Sequence, residues 1–197
     1  QTTVIIALGI RMDGKKQVLG LWNGSTENYH VCKDLLADLV ERGMSAEKVR
    51  LAVLDGGKAI RKAVNAVLGE RVLVQRCQVH KMANVMGYLS EEMQPSVRRA
   101  MKDAYAAKDY KAARRLLKNL ATTLAKDNEQ AAKSLEEGLE ETLTLHRIGI
   151  DGALRRTLST TNLIENLNGC IKRHTARVRR WQGANMVLRW VYSGVSE

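Results

Sequence analysis

The 197-residue chain has three cysteines, one proline and no long apolar run. An odd cysteine count without framework spacing argues against a secreted disulfide scaffold and for a reducing cytosol. Without a long apolar run there is no membrane span, and the opening residues carry no signal-peptide pattern. The pattern Gly-x4-Gly-Lys-Ser/Thr is absent, which excludes a Walker phosphate loop. Neither internal repeats nor low-complexity segments occur. Acid is scarce in one place above all: from Arg155 to Arg189 a single carboxylate, Glu165, stands against eight Lys and Arg.

What the chain does have is apolar content of 45% and a net charge of +11. The first is enough for one buried core, or for one domain carrying an insertion. The second asks for a polyanionic partner, with nucleic acid ahead of an anionic membrane because the basic segment lacks a continuous apolar face. Arg155, Arg156, Lys172, Arg173, Arg177, Arg179 and Arg180 are the candidate phosphate contacts. Arginine predominates among them, and its guanidinium pairs bidentately with phosphate. Asn162 joins them on the face of Glu165.

Residues 159–173 read as a helix. Ser159, Thr160 or Thr161 can cap its first turn, with Glu165 as a capping-box partner. Leu163, Leu167, Cys170, Ile171 and Val178 recur at helical spacing, and a rotation of about 100° per residue puts Glu165 with Asn162, Gly169, Lys172 and Ala176 on the other face. Glu165 is then either a plain surface carboxylate or a metal-binding one beside a DNA backbone.

Earlier in the chain, residues 3–10 and 17–22 read as a hairpin closed by Met12-Asp13-Gly14-Lys15, the Asp-Gly pair being one that type I′ turns prefer. A helix follows from about Glu27 to Arg42, ended by Gly43, with Leu35, Leu36, Leu39 and Val40 as its core stripe. Val49–Leu54 is a short buried strand ending in Asp55-Gly56-Gly57-Lys58, and an amphipathic helix follows it. A carboxylate at the carboxyl end of such a strand faces the crevice where α/β proteins bind ligands, or else caps the next helix.

Arg71–Gln75 is a further strand, running into Arg76-Cys77-Gln78-Val79-His80-Lys81. Cys77 and His80 read as a structural pair, a buried thiol and an imidazole bonded to backbone. A catalytic dyad is the less favoured reading, since residues three apart at a strand end need not face one another. His30 and Cys32 with Cys77 and His80 offer four potential zinc ligands at a poor spacing. Residues 82–149 read as helical throughout, with Leu116, Leu117, Leu120, Leu124 and then Leu135, Leu139, Leu143 as apolar stripes. Charge is balanced there, with 11 basic and 10 acidic residues from Glu91 to Arg147.

This order of elements strongly resembles the mutator-type family of bacterial insertion-sequence transposases. The matching segments are Val18–Trp22 with Gly24–Asn28, Leu39–Gly43, Val53–Gly56, Val74–Lys81 with Asn84-Val85, Gly138–Leu145, and Thr160–Asn166. The resemblance implies an α/β, ribonuclease H-like mixed sheet flanked by helices, formed by residues 1–81 and 150–197. Residues 82–149 would be an all-helical insertion before the last catalytic helix. It implies that Asp55 and Glu165, 110 residues apart, are the second and third acids of an Asp-Asp-Glu triad holding Mg²⁺, or alternatively Mn²⁺. Cys77 and His80 match the family's Cys-x2-His signature.

The first acid would lie on a strand ahead of this sequence. The expectation is therefore a catalytic-core fragment, inactive alone, of an enzyme that cleaves and joins transposon-end DNA. Its partners would be double-stranded DNA at the ends and the target, and further copies of itself, in the cytoplasm at a bacterial nucleoid. The rivals are a noncatalytic DNA-binding or assembly module of the same fold, and a helical interaction domain with an incidental basic tail.

Overall fold

The computed structural model describes residues 3–11, 13–24, 28–176, 178 and 183–195. It is mixed α/β, mostly helical, and divides into two compact units. The first comprises Gln1–Arg50, Lys58–Val72 and Asn162–Glu197; the second comprises Leu51–Gly57 and Leu73–Thr161. The strands pair as two two-stranded sheets, one antiparallel and one parallel.

The antiparallel sheet belongs to the first unit. Strands β1 (Thr3–Ile10) and β2 (Lys16–Gly24) pair from Thr3↔Gly24 to Ile10↔Lys16, with an irregularity between Ala7 and Leu8. Their connection is not the type I′ turn expected. Among the described residues only glycines have positive φ, so Asp13 is not left-handed while Gly14 is, at 80°. The loop instead closes through Arg11 N–H to the Lys15 carbonyl at 2.9 Å, and Asp13 Oδ1 accepts the Lys15 N–H at 3.0 Å.

Helix α1 (Tyr29–Glu41) starts where Asn28 Oδ1 accepts the Val31 N–H. It stops in a Schellman arrangement: Gly43 N–H to the Val40 carbonyl and Met44 N–H to the Leu39 carbonyl, with Gly43 at φ 102°. Its buried stripe is Cys32, Leu35, Leu36 and Leu39, not the expected Val40, which is exposed. The stripe follows positions i, i+3, i+4 and i+7, and places the Cys32 thiol in the core.

A short 3₁₀ turn (Ala46–Lys48) precedes strand β3 (Leu51–Leu54), and helix α2 (Lys58–Leu68) packs Ala63 and Val64 inward beside α1. Strand β4 (Leu73–Arg76) pairs parallel with β3, from Leu51↔Leu73 to Leu54↔Arg76. The second unit continues through α3 (Gln78–Met86), α4 (Gln94–Ala106), α5 (Tyr110–Asp127), α6 (Glu129–Glu136), α7 (Leu139–Thr142), α8 (Thr144–Arg147) and α9 (Gly152–Leu158). Its apolar core runs from Met82 to Leu143.

On α5 the buried stripe is Ala113, Leu117, Ala121 and Leu124, so Leu116 points outward. Alanine at two of those positions lets the neighbouring α4 and α6 approach closely. Leu135, Leu139 and Leu143 are buried as expected, but not on one helix: Gly138, at φ 66°, separates α6 from α7. Back in the first unit, α10 (Asn162–Thr175) packs on α11 (Gly183–Val195). No described helix is long and apolar enough to cross a membrane.

Candidate functional site

The carboxyl ends of β3 and β4 carry the densest polar chemistry of the second unit. Asp55 follows β3 directly and is exposed; its Oδ1 accepts the Gly57 N–H at 3.0 Å, which holds the Asp55-Gly56-Gly57 turn. Gly56 sits at φ 107°, and a Cβ there would collide with the Arg76 guanidinium. Gly138 has the same relation to Arg76 from the other side. Two left-handed glycines therefore pack against one arginine, which bonds Glu137 through its carbonyl (3.1 Å) and its carboxylate (3.3 Å). Arg76 Nε is buried without a partner among the described residues.

Beneath this arginine lies a lattice that the sequence did not announce. Gln75 donates to the Thr142 carbonyl at 2.8 Å and accepts the Leu145 N–H at 3.1 Å, and Gln78 donates to the same Thr142 carbonyl. Thr144 Oγ1 donates to the Val74 carbonyl at 2.6 Å. Lys81, only 1% exposed, donates to the carbonyls of Ser134 and Glu137 and so closes the end of α6. Burial and the neighbouring Arg76 charge lower its pKa to about 8, with Glu137 and Glu141 pulling the other way. Such donors answer carbonyls that burial takes from water, and the Thr142 and Glu137 carbonyls each receive two of them. The one available signal was a run of polar residues, Gln75, Arg76, Gln78 and Lys81, leading out of an apolar strand.

Cys77 continues the ladder, its N–H donating to the Leu54 carbonyl at 2.7 Å. The thiol is fully buried and accepts the His80 N–H at 3.5 Å, which makes Cys77 the N-cap of α3. Contrary to the expectation that residues three apart need not meet, His80 Nδ1 lies 3.3 Å from Cys77 Sγ. Where a backbone partner was expected, the imidazole meets side chains: Thr161 Oγ1 is 3.2 Å from His80 Nδ1 and 3.4 Å from Cys77 Sγ, and the Thr161 N–H also donates to that sulfur. Ser159, expected as a cap for the following helix, is instead buried at the end of α9, where its carbonyl accepts the Gln78 N–H at 2.9 Å.

Glu165 and Asn162 are exposed on the first turn of α10, with Lys172 and Arg173 exposed on its last turn. Ile171 is buried, but Cys170, expected on the apolar stripe, is exposed and accepts from Arg173 at 3.0 Å. Arg156 is exposed and Arg155 donates to the Lys108 carbonyl at 3.3 Å. Arg177, Arg179 and Arg180 lie outside the described residues. Asp55 belongs to one unit and Glu165 to the other. Among the described residues no three His, Cys, Asp or Glu side chains gather as a metal site.

Comparison with known proteins bears on this arrangement. The chain is 30% identical over 172 residues to the transposase for insertion sequence element IS6120 of Mycolicibacterium smegmatis, covering 87% of this chain and 52% of that protein. It is 31% identical over 195 residues to the IS406 transposase of Burkholderia multivorans (98% and 49%). With the IS256 transposase in transposon Tn4001 of Staphylococcus aureus it shares 28% over 202 residues (95% and 50%). The chain thus spans about half the length of these relatives. The family pattern of the Mutator transposases matches residues 1–197, from the hairpin through the Cys77–His80 pair to the Glu165 helix, and the chain belongs to that family.

Proposed function

We propose that this chain is the catalytic portion of an enzyme that cuts insertion-sequence ends from double-stranded DNA and joins them to a target. In this reading residues 1–81 and 150–197 form a ribonuclease H-like core, and residues 82–149 are a helical insertion. The enzyme works on the bacterial nucleoid with further copies of itself. Asp55 and Glu165 are the two carboxylates of the site, and would hold a divalent cation, Mg²⁺ or Mn²⁺. When bound, such ions activate the attacking oxygen and stabilise the leaving one in an in-line displacement.

The observation that carries the reading is the bonding at Cys77. Its N–H holds the Leu54 carbonyl, the residue before Asp55, while its thiol holds Thr161, four residues before Glu165. Within the second unit, Cys77 thus ties the strand that ends just before Asp55 to the residue just ahead of the Glu165 helix in sequence. His80 braces Thr161 from the second side, so that Cys77 and His80 act as a structural clasp rather than as reacting groups. Lys172, Arg173, Arg156 and Asn162 contact the phosphodiester backbone, which keeps register on the duplex without reading sequence.

The test is Mn²⁺ binding to the 197-residue chain followed by NMR. Paramagnetic broadening is expected around both Asp55 and Glu165, and both effects disappear in Asp55→Asn. Broadening at one carboxylate alone would remove the shared site. The first acid of the triad is neither of these two, so the 197 residues alone are expected not to cleave end DNA; measurable cleavage would show that two suffice.

A further inference from the structure

The helical stretch is electrically balanced in sequence, yet its charges are not mixed in space. Lys111, Arg114, Arg115 and Lys118 lie along α5 at i, i+3, i+4 and i+7, one face of two turns. With Arg147 they line an open groove of about 690 Å³ whose only acidic lining residue is Glu140. That acid is already engaged. Arg114 Nε donates to its Oε1 at 2.6 Å, and Tyr110 donates to its Oε2. Burial pushes the Glu140 carboxyl up, but those two bonds outweigh it and hold it below the usual range. Lys118 has a partner in Glu136 at 3.4 Å. Lys111, Arg115 and Arg147 make no ion pair among the described residues.

We infer that this groove is a second binding site for the phosphodiester backbone of DNA, formed by Lys111, Arg115 and Arg147 with Arg114 fixed between them. Seven residues of helix rise about 10 Å, the span of three phosphate-to-phosphate steps along one strand of a duplex. A free phosphate would use one end of such a stripe; a backbone uses all of it. The groove also continues from residues proposed above to meet DNA. Arg155 of α9 donates to the Lys108 carbonyl, just ahead of the Asp109 cap that starts α5. Cations from Arg155 and Arg156 through Lys108 to Lys111 therefore follow one another within the same unit.

The inference rests on the DNA reading above, so the experiment separates the two. Fluorescence anisotropy of a labelled mixed-sequence duplex with the 197-residue chain is followed across salt concentration. Every phosphate that the protein no longer neutralises lowers the slope of log K against log salt by about 0.9. The triple variant Lys111→Ala/Arg115→Ala/Arg147→Ala is expected to lower it by about 2 to 3, with an unchanged melting temperature. Arg115→Lys/Arg147→Lys is expected to retain it, since Lys meets phosphate as a point charge. If the triple variant binds as wild type while Lys172→Ala/Arg173→Ala weakens binding, the groove is refuted and the DNA reading stands. If wild-type binding is independent of salt, both fall. Displacement of the duplex from wild type by inorganic phosphate, or by polyglutamate, as readily as by unlabelled duplex would also overturn the groove as a DNA site. The first result would make it a free-anion site, the second a dock for acidic protein.

Discussion

Arg76 at the end of β4 with Lys81 on α3, and Lys111, Arg115 and Arg147 along the α5 groove, are the same two residue types put to opposite uses. The first pair is buried, 6% and 1% exposed, and every donor that finds a partner finds it in the protein: Glu137 for both, and Ser134 for the lysine. The groove cations are left to water and make no ion pair among the described residues. A buried cation is costly unless its surroundings answer it, so removing it damages the fold. An exposed one holds little of the fold together and keeps its charge for a ligand. What separates the two groups is where the chain carries them, not what they are.

The sharpest break in that contrast is Lys81→Ala. It strips the Ser134 carbonyl of its side-chain donor and leaves the Glu137 carbonyl to Arg76 alone, so a loss of about 3–5 kcal/mol is expected in urea denaturation. A cost below about 1 kcal/mol would put Lys81 with the surface cations. The same lysine gives a pH signature. Its folded pKa of about 8 lies below its ordinary 10.5, so between those values the folded protein binds fewer protons than the unfolded one. Stability must then rise with pH across that window. Relative to Lys81→Met, the wild type should gain about 3 kcal/mol from pH 8 to pH 10.5. A flat difference would mean the lysine is charged in the fold throughout.

A smaller effect is expected at the clasp. Thr161→Val removes the hydroxyl shared between Cys77 and His80 and should cost about 1 kcal/mol by thermal unfolding. Least of all, Lys111→Ala should leave the melting temperature where it was while reducing the salt slope of DNA binding by about 1. A melting shift as large as that of Thr161→Val would erase the distinction between the two groups of cations.

Much of the scaffold was legible from local pattern. The hairpin, the α1 helix with Gly43 just beyond it, the short strands before Asp55 and Cys77, and a helix carrying Glu165 all follow from periodicity and turn residues. Local pattern failed where two faces were nearly equivalent. Val40 and Cys32 compete for one stripe, as do Leu116 and Ala113, and the winner depends on what packs opposite. Ser159 failed for another reason: a good capping residue was claimed by the helix before it and by Gln78. The Asp13-Gly14 turn shows the same limit, because the strands chose a longer loop than the dipeptide favours.

Composition and order alone determined that this is a basic α/β protein with Asp55 after a strand, Glu165 on a helix, and the family to which both belong, since those properties are carried by neighbours in the chain. Tertiary structure alone decided that Thr161 meets Cys77 across 84 residues and Thr142 meets Gln75 across 67. It also decided that Arg147 joins the cations of α5 on one groove. Burial and charge segregation arise from contacts distant in sequence, and no count of residues along the chain contains them.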